Sequence, residues 1–404
     1  MHSLSIIIIG DEILIGQVTD TNSGAIARTF GPEGWEIASV TTIADDRDTI
    51  RLAVTRALEQ SDLVITTGGL GPTKDDITKH TLAEIFGGEM RRDADVLENI
   101  RQVFNRRGLK LNPLTEDQAL VPTSCQVIQN RFGTAPIMLF RRGGKALISM
   151  PGVPFETEGS LPTVAAVVKS IFAPDTEILH HTLIVTGITE SDLSSKLDTF
   201  EQSLAQGLHL AYLPASPIIR LRLDGHNTPQ ATFNAAVAQL KDELGSLLIY
   251  DGDATPAEIV VERLRQQGRT MACAESCTGG NIAHSITAIA GCSDVFMGGV
   301  VSYSNSVKIN VLGVNPDDLN TNGAVSRQVV EQMAVGACRV IGTNCAVATS
   351  GIAGPGGGTP DKPVGTVWMA ACVDGQVKSK IVKLPGNRAR VIARATDEAL
   401  LLLI

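Results

Sequence analysis

The strongest constraint on the fold is an alternation of short apolar runs with helix-like stretches through residues 1–165. Ser5 to Gly10, Glu36 to Thr42 and Asp62 to Thr67 read as strands, with helices from Asn22 to Phe30 and from Arg47 to Gln60 between them. Strands that alternate with helices form parallel βαβ units, because each helix carries the chain back to the end of the sheet where the previous strand began. Helices from Ile77 to Phe86, Asp93 to Arg106 and Phe155 to Ile171 and a strand from Ala146 to Met150 extend the pattern, giving an expected α/β domain over residues 1–171. Its opening run, Ile6-Ile7-Ile8-Ile9, is four residues long, lacks a basic leader and runs into Asp11-Glu12. It reads as a buried strand and not as a signal peptide or membrane span.

Residues 172–250 follow a different pattern. Strands from Glu177 to Val185, Ile218 to Leu223 and Ser246 to Tyr250, with helices opening near Ser191 and covering Pro229 to Leu244, read as a small α+β middle domain. With no Gly-rich ligand loop, it suits a spacer or a dimerisation element. Thr255 as N-cap and Pro256 as first helical residue then restart the alternation. Strands at Thr270 to Ala274, Val295 to Tyr303, Cys345 to Thr349, Gly365 to Val373 and Gln376 to Lys383, with helices among them, define an expected α/β domain over 251–404.

A 43% hydrophobic and 19% charged chain can bury enough apolar surface to fold. The net charge of −9 lies wholly in the first 250 residues, where 21 basic side chains face 30 acidic ones, while the last 154 carry 13 of each. No basic footprint exists, and 2 Trp, 3 Tyr and 10 Phe leave few stacking platforms, so the expected partners are small molecules and neither nucleic acid nor membrane. Of seven cysteines only Cys125 precedes residue 251. An odd count in a large chain without a secretory signal suggests reduced, mostly buried thiols and a cytoplasmic location. Cys273 and Cys277 lack the second pair that a structural zinc site needs.

Two loops carry chemistry. Thr66-Thr67-Gly68-Gly69-Leu70-Gly71-Pro72-Thr73-Lys74-Asp75-Asp76 joins a buried strand to a helix, where backbone amides can hold an anion. Lys74 is followed by Asp75, so this is no Walker A loop, and the third glycine of a dinucleotide fingerprint is missing. Gly68, Gly69 and Gly71 are accompanied by acids at other strand ends: Asp11 and Glu12, then Asp45 and Asp46, besides Asp75 and Asp76. Carboxylates beside a phosphate repel it unless a divalent cation lies between, which makes Asp75 and Asp76 the expected metal ligands of a phosphate or pyrophosphate site. The plainer alternative is that Asp75 and Asp76 cap a helix and the other acids are solvated.

The second loop is Glu275-Ser276-Cys277-Thr278-Gly279-Gly280. Ser276 sits where a strand gives way to a helix, with the amides of Thr278, Gly279 and Gly280 available to an oxyanion or a phosphate. The domain's one histidine, His284, lies eight residues on, about 12 Å along a helix axis, too far for a Ser-His pair. Lys308, in the first turn of an expected helix, is the candidate base: the positive helix end and burial both favour the neutral amine. Tyr303 is placed to relay or orient a proton. Ser276 as a simple N-cap, Lys308 as a phosphate-binding cation and Cys277 as a rival nucleophile are the alternatives. A zinc base deaminase would need H-x-E and P-C-x-x-C, and neither occurs. Ser350 to Gly358, a second Gly loop after a buried strand, is the expected opposite wall of the pocket.

These motifs, together with Gly10-Asp11-Glu12-Ile13-Leu14-Ile15-Gly16, Gly133-Thr134-Ala135-Pro136, Met150-Pro151-Gly152-Val153-Pro154, Tyr303-Ser304-Asn305, Ser350-Gly351-Ile352-Ala353-Gly354-Pro355 and Lys362 to Trp368, closely resemble the CinA family over essentially the whole chain. The N-terminal motifs are shared with molybdopterin-binding proteins of the MogA/MoaB type. The resemblance implies a MogA/MoaB-like α/β domain with metal-dependent (Mg, Mn or Co) ADP-ribose pyrophosphatase activity in some members. It implies a C-terminal α/β amidohydrolase domain that converts nicotinamide mononucleotide to nicotinic acid mononucleotide and ammonia without a cofactor, and a homodimer. Ser276, Tyr303 and Lys308 fall on its catalytic motif positions. Thr278, Gly279, Gly280, Asn305, Ser350, Gly351, Gly354 and Arg388 are the expected substrate-binding residues, although Ile392 stands where a second arginine is usual. A non-catalytic pterin- or nucleotide-binding protein and a molybdopterin-processing enzyme are the competing readings.

Overall fold

The computed structural model describes residues 2–71, 73, 76–172 and 178–404. The chain forms two compact units, one of Met1–His180 with Gln206–Leu208 and Asp224–Phe233, the other of His181–Ala205, His209–Leu223 and Asn234–Ile404.

In the first unit, β1 (Ser3–Ile9), β2 (Glu36–Ile43) and β3 (Leu63–Thr67) are followed by a two-stranded ribbon of β4 (Met90–Arg92) and β5 (Leu120–Pro122). β6 (Gln126–Ile128), β7 (Ile137–Arg142) and β8 (Lys145–Met150) complete a six-stranded sheet in the order β2-β1-β3-β8-β7-β6. β2, β1, β3 and β8 run parallel, as the alternation requires, and β7 and β6 add an antiparallel edge. Leu4, Ile6, Ile8, Leu63, Ile65 and Ile148 face the helices Asn22–Phe30 and Pro154–Ile171. Ile7, Ile9, Val64 and Leu147 face Arg47–Gln60 and Thr78–Phe86. Burial on both faces explains why β1 reads as an unbroken apolar run.

β9 (Ile178–Thr186), β10 (Leu208–Ala215), β11 (Ile218–His226) and β12 (Leu248–Asp251) form a four-stranded sheet ordered β10-β11-β9-β12. Glu177, the expected first residue of this segment's opening strand, lies outside the described residues. Within the second unit, Ile184 and Ile218 share a small core with Ala254, Ile259 and Tyr250.

The last sheet contains β13 (Met271–Glu275), β14 (Phe296–Val301), β15 (Cys345–Gly351), β16 (Thr366–Val373) and β17 (Gln376–Lys383), ordered β14-β13-β15-β16-β17. β14, β13 and β15 are parallel; β16 and β17 are antiparallel. Met271, Cys273, Val347, Val367 and Met369 pack against the helices Pro256–Gln266, Asn281–Thr287 and Arg388–Leu400. Ala272, Ala274, Ala346, Ala348 and Ala370 meet Arg327–Ile341, and this row of alanines leaves room for that helix. All seven cysteines are free and five are buried, so they serve as small core residues. Among the described residues no helix is long and apolar enough to cross a membrane.

Candidate functional site

β13 lies between β14 and β15; the helix that follows β13, Asn281–Thr287, packs on one face of the sheet, and Arg327–Ile341, which lies between β14 and β15 in the chain, packs on the other. The carboxyl end of such a strand opens the crevice in which α/β sheets bind ligands. Ser276 is the first residue beyond β13, and its amide donates to the Thr349 carbonyl on β15 at 3.0 Å.

Lys308 reaches Ser276 from the helix Asn305–Asn310, which Ser304 caps by accepting the Val307 amide at 3.3 Å. Its side chain is 1% exposed, and Nζ lies 3.1 Å from Ser276 Oγ. The same nitrogen donates to the carbonyls of Ser302 at 2.6 Å and Tyr303 at 3.3 Å. No carboxylate forms an ion pair with it among the described residues. Burial therefore pushes the ammonium below the ordinary lysine value of 10.5. The expected help from a helix N-terminus is not the cause, because this helix has six residues and Lys308 lies in its last turn. A neutral amine has two hydrogens and one lone pair; two carbonyls take the hydrogens, which leaves the lone pair for the serine proton.

The rival nucleophile is set aside by the same physics. Burial raises the Cys277 thiol to about 11, so little thiolate exists near neutrality. Thr278 is buried, with its hydroxyl 2.8 Å from that of Thr349.

Gly280 departs from expectation. Its amide donates to Glu275 Oε2 at 2.9 Å, so it is not available to an oxyanion or a phosphate. The amides of Ile282 and Ala283 are likewise taken by Glu275, and among the described residues those of Thr278 and Gly279 have no protein acceptor. Gly279 has φ +62 and open space where a Cβ would stand, room for a ligand beside its backbone.

Tyr303 joins the site through its carbonyl; its ring is 65% exposed, and its hydroxyl lies 3.5 Å from Arg388 Nη2, not on the Ser276–Lys308 pair. Arg388 also donates to the Gly354 carbonyl at 2.9 Å, tying the second Gly loop to the rim. Two members of that loop are explained by packing: a Cβ on Gly351 would lie 2.7 Å from Val367 Cγ2, and one on Gly354 2.6 Å from Val364 Cγ1. The buried Ser350 hydroxyl donates to the Ala324 carbonyl at 2.7 Å, away from Ser276. Asn305 is exposed at the start of the lysine helix. Glu275, Ser302 and Thr349 carry no assigned role in the sequence reading. Glu275 had a visible signal, a lone charge closing the apolar run Met271-Ala272-Cys273-Ala274.

In the first unit, Asp11 and Glu12 follow β1, Asp45 follows β2, and Gly68, Gly69 and Gly71 follow β3, all at one end of the parallel strands. The Asp45 amide lies 3.4 Å from Asp11 Oδ1. Gly68 has φ +110, and a Cβ there would run into the Ile9 carbonyl; a Cβ on Gly69 would strike the Thr78 hydroxyl and lie 3.1 Å from Asp45 Oδ1. Asp76, an expected metal ligand, accepts the amides of Gly71 at 2.7 Å and Thr73 at 2.9 Å and so closes its own loop. Asp75 lies outside the described residues. Among the described residues no three Asp, Glu, His or Cys side chains gather as metal ligands. Asn22 is an addition to the expected residues: it is buried and donates to the Gly152 carbonyl at 2.8 Å, while its Oδ1 and the Thr78 hydroxyl have no partner among the described residues.

Residues 253–404 match the family model described as "CinA C-terminal domain", and residues 5–169 match "Probable molybdopterin binding domain". A CinA-like protein of Gemmatimonas aurantiaca is 39% identical over 98% of this chain and 94% of its own length. Another, from Cytophaga hutchinsonii, is 39% identical over 96% of this chain and 95% of its own. Among solved structures, CinA of Thermoplasma acidophilum is 38% identical, covering 42% of this chain and 98% of that one at a TM-score of 0.38. With relatives of this identity along almost its whole length, the chain belongs to the CinA family.

Proposed function

We propose that the C-terminal part of the chain hydrolyses the carboxamide of nicotinamide mononucleotide, giving nicotinic acid mononucleotide and ammonia. The observation that carries this reading is the buried Lys308 amine, 3.1 Å from the Ser276 hydroxyl and, among the described residues, otherwise bonded only to carbonyl oxygens. Lys308 takes the Ser276 proton as Oγ attacks the carboxamide carbon. The amides of Thr278 and Gly279 hold the oxyanion, a contribution of about 3 kcal/mol per donor in comparable sites. The Lys308 ammonium returns the proton to the departing nitrogen, and ammonia leaves an ester on Ser276. Lys308 then deprotonates a water molecule that cleaves the ester and restores the serine. Arg388, on the rim beside Gly354, is the proposed cation for the substrate phosphate.

Ammonia release by the purified full chain tests this, with Ser276→Ala, Cys277→Ala, Lys308→Ala and Lys308→Arg alongside. Robust release by Ser276→Ala would sink the serine mechanism, and full activity in Lys308→Arg would demote the lysine from base to cation.

For the first unit, the unpartnered Asn22 Oδ1 and Thr78 hydroxyl beside Gly69 favour a bound polar ligand, and we propose a phosphate-bearing pterin or nucleotide. Calorimetric titration with ADP-ribose, with and without Mg2+, Mn2+ or Co2+, tests binding. Metal-dependent turnover in the same samples would extend the reading to a pyrophosphatase.

A further inference from the structure

Glu275 immediately precedes the proposed nucleophile and is 0% exposed, yet the hydrolysis as proposed uses no carboxylate. Its oxygens accept three backbone amides: Gly280 at 2.9 Å and Ile282 at 3.0 Å on Oε2, and Ala283 at 2.9 Å on Oε1. The Cys273 thiol approaches Oε1 at 3.4 Å. These amides belong to the start of the helix Asn281–Thr287, whose N-cap is Gly280 and supplies no side chain of its own. Two successive left-handed glycines, Gly279 at φ +62 and Gly280 at φ +104, turn the chain back toward β13 so that the three N–H groups converge on one carboxylate.

The first amides of a helix have no partner within the helix and must find an acceptor elsewhere. Here the acceptor is built in. The carboxylate occupies the positive end and leaves Thr278 and Gly279 as the loop's remaining donors. Ser276 is held on its other side by the Thr349 carbonyl, so both flanks of the turn are pinned to the central strands.

We infer that Glu275 is a positioning residue: its buried carboxylate fixes the Ser276–Gly280 turn for attack. This rests on the amidohydrolase reading. The consequence is specific, because a turn that drifts loses an interaction made in the transition state and not in the ground state. In Glu275→Gln one amide hydrogen of the turn would face an NH2 group instead of an oxygen.

The test compares full-length wild type, Glu275→Gln and Glu275→Ala by steady-state ammonia release from nicotinamide mononucleotide, thermal melting and backbone hydrogen exchange. The expected result for Glu275→Gln is a fall in kcat of roughly 100-fold with KM within about twofold of wild type. Faster exchange at Gly280, Ile282 and Ala283 should accompany it. A variant with a lowered melting temperature but wild-type kcat overturns the inference and reduces Glu275 to a cap. So does a rise in KM at unchanged kcat. Should Glu275→Ala fail to fold, Glu275→Gln, which keeps the side-chain length and one acceptor oxygen, carries the comparison. If wild type releases no ammonia, the amidohydrolase reading fails and exchange decides alone: unchanged protection of the three amides in Glu275→Gln then overturns the positioning role.

Discussion

Lys308 and Glu275 are both ionisable side chains shut away from water, and the fold treats them in opposite ways. Glu275 receives three N–H donors, whereas Lys308 is given carbonyls and a hydroxyl but no counter-charge. Burial without a counter-charge favours the neutral amine, so the lysine's pKa in the folded chain lies below its ordinary 10.5. Two consequences have definite signs. The unfolded chain binds a proton more tightly at Lys308 than the folded chain does, so this residue costs stability at acid and neutral pH, and the cost fades as pH rises toward 10.5. Activity should follow the free amine: kcat/KM is expected to rise along an alkaline limb centred below 10.5, and a pH–rate profile flat across that region would contradict Lys308 as base. Cys277, whose thiol burial raises to about 11, is expected to be dispensable, with Cys277→Ala keeping most of the ammonia release.

At the scale of elements, the helix Asn305–Asn310 is short and depends on its Ser304 cap. Ser304→Ala is expected to cost about 1 kcal/mol in chemical denaturation and to lower activity by loosening Lys308. The longer helix Arg327–Ile341 depends on a close approach: a Cβ on Gly336 would run into the Leu312 carbonyl, so Gly336→Ala should destabilise the chain by about 1–3 kcal/mol despite alanine's better helix propensity. Most of the parallel strands and their helices were legible in the sequence. Asn22–Phe30 and Arg47–Gln60 have the expected bounds, because their apolar positions recur at helical spacing, and Asp46 caps the second. Among the elements that escaped, β6 has three residues, too few for a period to show, β10 is edge strand to a half-exposed sheet, and β7, although inside its sheet, offers only the four apolar residues Ile137 to Phe140 before Arg141 and Arg142. At the site, Ser276 and Lys308 were readable from residue type and position. The pairing of Glu275 with Gly280 was not, because it depends on two left-handed turns that a Gly-Gly pair permits without specifying.

Over the whole molecule, each compact unit carries its own mixed sheet with a loop cluster at the carboxyl ends of its parallel strands. The first unit also holds an ionisable group that the proposed chemistry does not use: Lys79 is 5% exposed, its pKa is lowered by burial to about 8, and its contacts to the carbonyls of Asp117 and Gln118 are long, at 3.4 and 3.3 Å. Lys79→Met is therefore expected to raise the melting temperature at pH 7 and to have less effect at pH 10, where the buried amine is already neutral. Asp76→Ala, which opens the loop closed by Gly71 and Thr73, should leave ammonia release unchanged if the amidohydrolase chemistry resides at Ser276. The central claim meets its most direct test in ammonia release from nicotinamide mononucleotide by the full-length chain, with Ser276→Ala and Lys308→Ala in parallel. The account predicts release by wild type and a loss of about a thousandfold or more in both variants. No release by wild type, or release that persists in Ser276→Ala, would contradict it.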